Sequence, residues 1–477
     1  MTQLTEATYD VIVLGAGPVG ENIADRAVRG GLTAVVVEHE LVGGECSYWA
    51  CMPSKALLRP AEAVRAAQQV GGAAAAVTGS VDVAAVLARR DSFTSDWSDA
   101  GQVEWLESAG ISLVRGHGAL TGVRQVTVTA TDGSTTVLTA RHAVAIATGS
   151  DAAMPDIDGL RAAAPWTSRE ATSARKVPAG LAVIGGGVVA TEMATAYAGL
   201  GTEVTLIARS GLLSTMEPFA GELVAGALRD QGVTVLLGTA TTRVTRTADG
   251  VEIHTGDGAT ITAEQVLVAT GRTPRTSGIG LEAVGLSPGD WIATDDTMRV
   301  PGFDWLYAAG DVTHRALLTH QGKYQARAAG DVIAARAAGA EVSDAPWGAH
   351  VATADHHAVP QVVFTDPQVA SVGLTAAAAR AAGHQVRVVD YEIGRVAGAG
   401  LRADGYTGTA RMVVDERREV LLGVTFAGPD VADLLQAATI AVVGEVPMAR
   451  LWHAVPAYPT VSEIWLRLLE AYGRPTR

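Results

Sequence analysis

Tyr9-Asp10-Val11-Ile12-Val13-Leu14-Gly15-Ala16-Gly17-Pro18-Val19-Gly20, running on to Ala34-Val35-Val36-Val37-Glu38, decides the fold. A short apolar run meets a glycine turn, then an amphipathic helical pattern, then a second apolar run. That order opens a dinucleotide-binding βαβ unit. The chain carries it twice. Leu181-Ala182-Val183-Ile184-Gly185-Gly186-Gly187-Val188-Val189-Ala190 leads in the same way to Val204-Thr205-Leu206-Ile207-Ala208-Arg209. In such a unit the first glycine permits the tight turn and the second lets backbone approach a pyrophosphate. The third brings helix against strand, and the phosphate rests on the helix N-terminus. Gly15, Gly17 and Gly20 take these places in the first copy, and Gly185, Gly187 and Ala190 in the second.

Two strand-then-turn segments close the units: Ala145-Ile146-Ala147-Thr148-Gly149-Ser150 and Leu267-Val268-Ala269-Thr270-Gly271-Arg272. A later strand ends in Gly310-Asp311. Beyond about residue 350 the glycine fingerprint is absent and strands alternate with helices, as in a separate α+β domain. The alanine-rich stretches at 73–76 and 376–382 read as helices in a compositionally biased chain.

At 477 residues the chain has room for about three domains. Its 48% hydrophobic and 18% charged content describe a globular, well-buried protein. A net charge of −14 argues against nucleic acid or an anionic membrane as partner. Residues 1–9 are polar, the apolar run at 11–14 is too short for a signal segment, and no stretch reaches the ~20 apolar residues of a membrane span. A soluble, cytoplasmic protein is expected.

The only two cysteines lie five apart in Gly43-Gly44-Glu45-Cys46-Ser47-Tyr48-Trp49-Ala50-Cys51-Met52-Pro53-Ser54-Lys55. A structural zinc site would need further Cys or His ligands at the right spacing, and none is near; no metal is expected. Two thiols directly after a nucleotide-binding unit point instead to redox chemistry beside a cofactor. Lysine is rare in this arginine-rich chain, being confined to Lys55, Lys176 and Lys323. Where one persists, as at Lys55, a compact ammonium is the group required.

Taken in order, Gly15–Gly20, Cys46…Cys51-Met52-Pro53-Ser54-Lys55, Thr148-Gly149, Gly185–Ala190, Gly271-Arg272, Gly310-Asp311 and Pro459-Thr460…Glu463 resemble the pyridine nucleotide–disulfide oxidoreductases. That class contains glutathione reductase, dihydrolipoamide dehydrogenase and mercuric reductase, and the resemblance spans nearly the whole chain. It implies an α/β fold with two Rossmann-like dinucleotide-binding domains and a C-terminal α+β dimerisation domain. The expected division is FAD domain 1–150, NAD(P) domain 151–275, second FAD part 276–350 and interface domain 351–477.

The resemblance also implies roles. Cys46 and Cys51 form the redox disulfide, with Cys51 as the charge-transfer thiolate under the flavin and Cys46 as the interchange thiol. Lys55 and Glu192 form an ion pair near the flavin; the alternative for Glu192 is a solvated helix residue. Gly44, Gly118, Thr148, Gly149, Gly271 and Arg272 join the fingerprint glycines and Lys55 at the cofactors. Asp311 accepts from a ribityl hydroxyl, or else is an ordinary helix N-cap. Glu38, at the tip of the second strand, suits the ribose of FAD. Ala208-Arg209 in the second unit favours NADPH over NADH, because a guanidinium forks onto phosphate; a second Arg found in glutathione reductase is Thr215 here.

The chain departs from the family at its closing motif. Tyr458-Pro459-Thr460-Val461-Ser462-Glu463 carries Tyr where the family has the His that serves, from the partner subunit of a homodimer, as acid and base. A phenol near pKa 10 is a poor base at neutral pH. His453 is either a structural residue or a substitute base. Tyr48, Trp49 and Ala50 also replace the usual residues between the cysteines, as a stacking surface for a flat substrate or as packing. The expected activity is electron transfer from NADPH through FAD and the Cys46–Cys51 pair to a disulfide or related small acceptor. Alternatives are a quinone reductase or a metal-ion reductase of the mercuric type in which Tyr458 replaces the base, although mercuric reductases carry a C-terminal cysteine pair that 472–477 lacks. Dihydrolipoamide dehydrogenase is disfavoured by Arg209 and the missing base, and a purely redox-sensing flavoprotein by the intact thiol pair.

Overall fold

The computed structural model describes residues 5–474. The polar start at 1–4 and the tail at 475–477 lie outside the described residues. Two compact units emerge, the first built from 1–52, 91–152 and 272–355, the second from 53–90, 153–271 and 356–477. No helix among the described residues is long and apolar enough to cross a membrane.

The first unit is organised by β1 (Thr5–Leu14), α1 (Pro18–Arg29) and β2 (Ala34–Glu38). Its sheet runs in the order Ile111–Arg115, β2, β1, Thr135–Ile146, Gln125–Thr129, His117–Gly122, with Leu306–Ala308 also on Thr135–Ile146. The strands around β1 are parallel, and the Gln125–Thr129 hairpin edge is antiparallel. The Val11–Leu14 end of β1 is apolar on both faces because both are covered, as parallel strands require. Val11 and Val13 pack with Ile23, Ala24 and Ala27 of α1 and with Val332 and Ile333 of helix Thr319–Ala337. Ile12 and Leu14 face Leu120, Val126, Trp305 and Leu306 on the other side.

The second unit repeats this logic. A parallel sheet runs Thr234–Leu237, Glu203–Ala208, Gly180–Ile184, Gln265–Val268. Leu181 and Val183 pack with Met193 and Tyr197 of helix Val188–Gly199. Ala182 and Ile184 pack with Val244, Val251 and Ile253 of a three-stranded antiparallel sheet. The unit also holds a five-stranded antiparallel sheet, Pro360–Val363, Gln368–Gly373, Val420–Gly428, Thr409–Asp415 and Val386–Glu392, flanked by helices.

The third fingerprint position differs between the copies. A Cβ added at Gly20 would stand 1.9 Å from the Gly15 carbonyl oxygen, whereas Ala190 is fully buried and carries its methyl. Gly20→Ala should therefore cost about 1–3 kcal/mol, the scale of overpacking, while Ala190→Gly should cost only about 1 kcal/mol of helix propensity. Urea unfolding of the two variants followed by far-ultraviolet circular dichroism measures the difference.

Candidate active site

The glycine turns are formed as backbone cradles. Gly15 and Gly185 have φ of 94° and 138°, and a Cβ on either would meet the carbonyl oxygen of the closing strand, Ala147 or Ala269, at 2.5 and 2.2 Å. Gly17 and Gly187 occupy the N-cap positions of their helices. A Cβ added at Gly187 would meet nothing within 4 Å, and at Gly17 only Gly44 Cα at 3.9 Å. Bare backbone at a helix N-terminus is what a pyrophosphate requires, so both turns fit a dinucleotide. Gly118 lies in the sheet with its Cα against Leu14 and Val37, and a Cβ there would stand 2.8 Å from Leu14.

Glu38 is buried at the tip of β2. Its Oε2 accepts the Ala16 N–H at 2.8 Å and its Oε1 the Glu40 N–H at 2.9 Å. Burial opposes its ionisation, but these bonds and the His39 ring outweigh that and hold the carboxyl below its usual range. The corresponding Arg209 follows strand Glu203–Ala208 and is exposed.

The thiols lie where two helices meet. Cys46 is in the short α2 (Gly44–Tyr48), and Cys51 is the first residue of α3 (Cys51–Gln68). An anion at Cys51 would meet the positive end of the α3 dipole, and Pro53 fits the first turn, where backbone N–H groups have no helical partner. Cys51 Sγ lies 3.3 Å from Thr319 Oγ1, a hydrogen bond in which either can donate. Tyr48 is packing: it is buried, its hydroxyl donates to the Val42 carbonyl at 3.1 Å, and its own carbonyl accepts the Trp97 indole N–H at 3.2 Å. Burial pushes its phenol up to about 12.

Lys55 and Glu192 come together in the second unit. Lys55 Nζ donates to Glu192 Oε2 at 2.8 Å, with the two side chains 35% and 4% exposed. Glu192 is thus buried and not a solvated helix residue. Its Oε1 accepts the Phe364 N–H at 3.0 Å, and the ammonium lies 4.8 Å from the Phe364 ring centre. Each buried charge is thereby matched, as burial demands.

Asp311 is not a helix cap. Its Oδ2 accepts the Ser150 hydroxyl at 2.5 Å and stands 3.7 Å from Arg272 Nε. Arg272 also donates to the Ser150 hydroxyl and carbonyl, both at 2.5 Å. Thr148 donates to the Arg275 carbonyl at 2.7 Å, and the Gly149 carbonyl accepts the Arg275 N–H at 3.1 Å. Gly271, at φ 140°, ends its segment in the second unit.

The closing motif is largely exposed. Tyr458 is 75% exposed and Val455 84% exposed, and His453 is exposed as well. Glu463 is buried; its Oε1 accepts from Arg467 at 2.6 Å, while its Oε2 has no hydrogen-bond partner among the described residues. Sequence reasoning missed Ser150, Thr319, Phe364 and the Arg275–Glu45 contact at 2.7 Å. Only the last left a signal, a carboxylate directly before Cys46 and an arginine closing Gly271-Arg272-Thr273-Pro274-Arg275.

A family model described as pyridine nucleotide-disulphide oxidoreductase matches residues 9–336, and that family's dimerisation domain matches 359–468. Mercuric reductase from Shigella flexneri is 33% identical over 461 residues, 95% of this chain and 79% of its own length. Dihydrolipoyl dehydrogenase from Chlorobaculum tepidum is 33% identical over 472 residues, 96% of this chain and 95% of its own length. The copper(II) complex of the HOCl-induced flavoprotein disulfide reductase RclA from Escherichia coli superposes with a TM-score of 0.83 at 21% identity, over 97% of this chain and 99% of that one. LpdA from Mycobacterium tuberculosis gives 0.81 at 24% identity, over 98% and 99%. At these identities the two structures speak for the fold.

The Lys55–Glu192 pair yields a stability prediction. Glu192→Ala strands a partly buried ammonium and the Phe364 N–H together, and should lower stability to urea by about 2–3 kcal/mol. Glu192→Gln keeps an acceptor for both donors and should lose clearly less.

Proposed function

Because the chain belongs to the pyridine nucleotide-disulphide oxidoreductase family, and is therefore an oxidoreductase, we propose that it carries electrons from NADPH by way of FAD to the Cys46–Cys51 pair and on to a disulfide or related small acceptor. Residues 1–150 and 276–350 are assigned to FAD, 151–275 to the nicotinamide nucleotide and 351–477 to the subunit interface. Bound FAD supplies the two-electron exchange between nicotinamide and sulfur. The observation that carries the reading is the thiol pair itself, at the junction of α2 and α3, with a hydroxyl on the Cys51 sulfur.

The pyrophosphates are assigned to the Gly15–Gly17 and Gly185–Gly187 turns, and the riboses to Glu38 and, with its 2′-phosphate, Arg209. Asp311, held by Ser150 and Arg272, orients a sugar hydroxyl. Lys55 supplies positive charge at the flavin while Glu192 fixes its position. In the outgoing step the Cys46 thiolate attacks the substrate disulfide, one S–S bond forms as another breaks, and the leaving thiolate takes a proton. Cys51 then attacks Cys46, closing the Cys46–Cys51 disulfide and releasing the second thiol. One disulfide is reduced for each dithiol oxidised.

Tyr458 of the partner subunit is placed at the proton-transfer position, and its exposure in the single chain suits a residue offered to another subunit. A phenol gives up most of the ~10²–10⁴-fold that general acid–base catalysis contributes. This favours acceptors whose leaving group needs no proton. A soft metal ion is accordingly the second reading, supported by Tyr458 and by the mercuric reductases among the relatives.

A panel of disulfides, quinones and Hg(II), read by NADPH oxidation, tests the proposal. Cys46→Ser should abolish disulfide and metal reduction and leave quinone reduction intact. Tyr458→His should raise disulfide turnover near neutral pH. Undiminished disulfide reduction by Cys46→Ser refutes the assignment. For the nucleotide, Arg209→Glu should lower kcat/KM for NADPH by about 2–4 kcal/mol, the loss of a charge-assisted contact plus repulsion, with NADH much less affected. A wild-type preference for NADH would contradict the role of Arg209.

A further inference from the structure

The electron relay makes no use of a charged cluster in the first unit. Arg275 Nη2 donates to Glu45 Oε1 at 2.7 Å and lies 2.6 Å from Asp151 Oδ1, to which Nε also donates at 2.6 Å. The arginine backbone is fixed independently, by its N–H on the Gly149 carbonyl at 3.1 Å and by the Thr148 hydroxyl on its own carbonyl at 2.7 Å. Burial works against the cation, and the two carboxylates more than offset it, pushing the guanidinium's pKa further up. Glu45 is the residue directly before Cys46, and its carbonyl accepts the Trp49 N–H at 2.8 Å where α2 ends. The side chain of Glu45 is therefore tied to Arg275 while its backbone closes the short helix that carries Cys46. α2 has five residues, too few to hold its own geometry in isolation.

We propose that Arg275 is the positioning residue for the Cys46 thiol, gripping Glu45 from a guanidinium anchored on Asp151 and on the Thr148-Gly149 turn. The inference rests on the reading of Cys46 as the exchange thiol. A planar fork can hold two carboxylates at once in fixed directions. It also sets a positive charge against the carboxylate directly before Cys46. A lysine would keep the charge but not the two-way grip.

The test uses the holoenzyme, with flavin content measured for each variant. Disulfide reduction is assayed with 5,5′-dithiobis(2-nitrobenzoate) and flavin-direct reduction with menadione. The reduced protein is also alkylated with iodoacetamide, and Cys46 and Cys51 are quantified by peptide mass spectrometry. Arg275→Gln should lower kcat for the disulfide about tenfold with little change in KM, the scale of a misplaced reacting group. Its menadione rate should match wild type, and the preference for Cys46 alkylation should shrink. Arg275→Lys should recover part of kcat, and Glu45→Gln, which keeps the shape of the contact, should show a weaker form of the same defect. The inference is overturned if disulfide and menadione rates fall together, if Lys is no better than Gln, or if Arg275→Gln and Glu45→Gln both behave as wild type. Undiminished disulfide reduction by Cys46→Ser would instead overturn the underlying assignment of the exchange thiol, and this inference with it.

Discussion

One backbone contact determines what the rest of the site can do. A Cβ on Gly44 would stand 2.9 Å from Gly17 Cα, so the start of α2 is pressed onto the middle of the first glycine turn. A side chain at Gly44 would force the two segments apart, whereas a Cβ at Gly17 would meet Gly44 Cα only at 3.9 Å. The helix that carries Cys46 is thus docked on the segment whose bare backbone suits a pyrophosphate, and a thiol two residues on is placed relative to whatever the turn holds. The covered parallel sheet beneath, with β1 buried on both faces, makes the platform rigid.

Charge follows the same economy. The charged side chains assigned to the relay are few; Arg209 is exposed, and the buried ones are matched within their own unit. Glu38 is held by two backbone N–H groups and His39, Lys55 by Glu192, and Asp311 by Ser150 and Arg272. Removing one member of such a group costs more than the pair contributes, because the survivor stays buried. The exception is the closing motif, where Tyr458 and Val455 project into solvent and Glu463 keeps one buried oxygen without a hydrogen-bond partner among the described residues. A phenol there leaves the core undisturbed.

Much of this was legible from spacing. The two βαβ units, the thiol pair and the Gly-Asp strand end follow from period, glycine placement and the scarcity of Cys and Lys, all of which are local. Tyr48 could be read as a substrate surface or as packing, and only its buried hydroxyl, bonded to Val42, distinguishes the two. Ser150 and Thr319 were invisible because a lone hydroxyl at a strand start or a helix start has no periodic signature. Ser150 and Asp311 are 161 positions apart, Cys51 and Thr319 are 268 apart, and Glu45 and Arg275 are 230 apart. Pairings of that range depend on how the strands are ordered in the sheet, which hydrophobic patterning does not specify.

The proposed relay requires that Cys51 be electronically coupled to a flavin held by the first unit. Anaerobic titration of the purified holoprotein with NADPH tests it most directly. The account predicts a long-wavelength absorbance band after two electrons, retained in partly reduced Cys46→Ser and absent from Cys51→Ser. Direct bleaching of the flavin with no such band, or a band that survives in Cys51→Ser and is lost in Cys46→Ser, would contradict it.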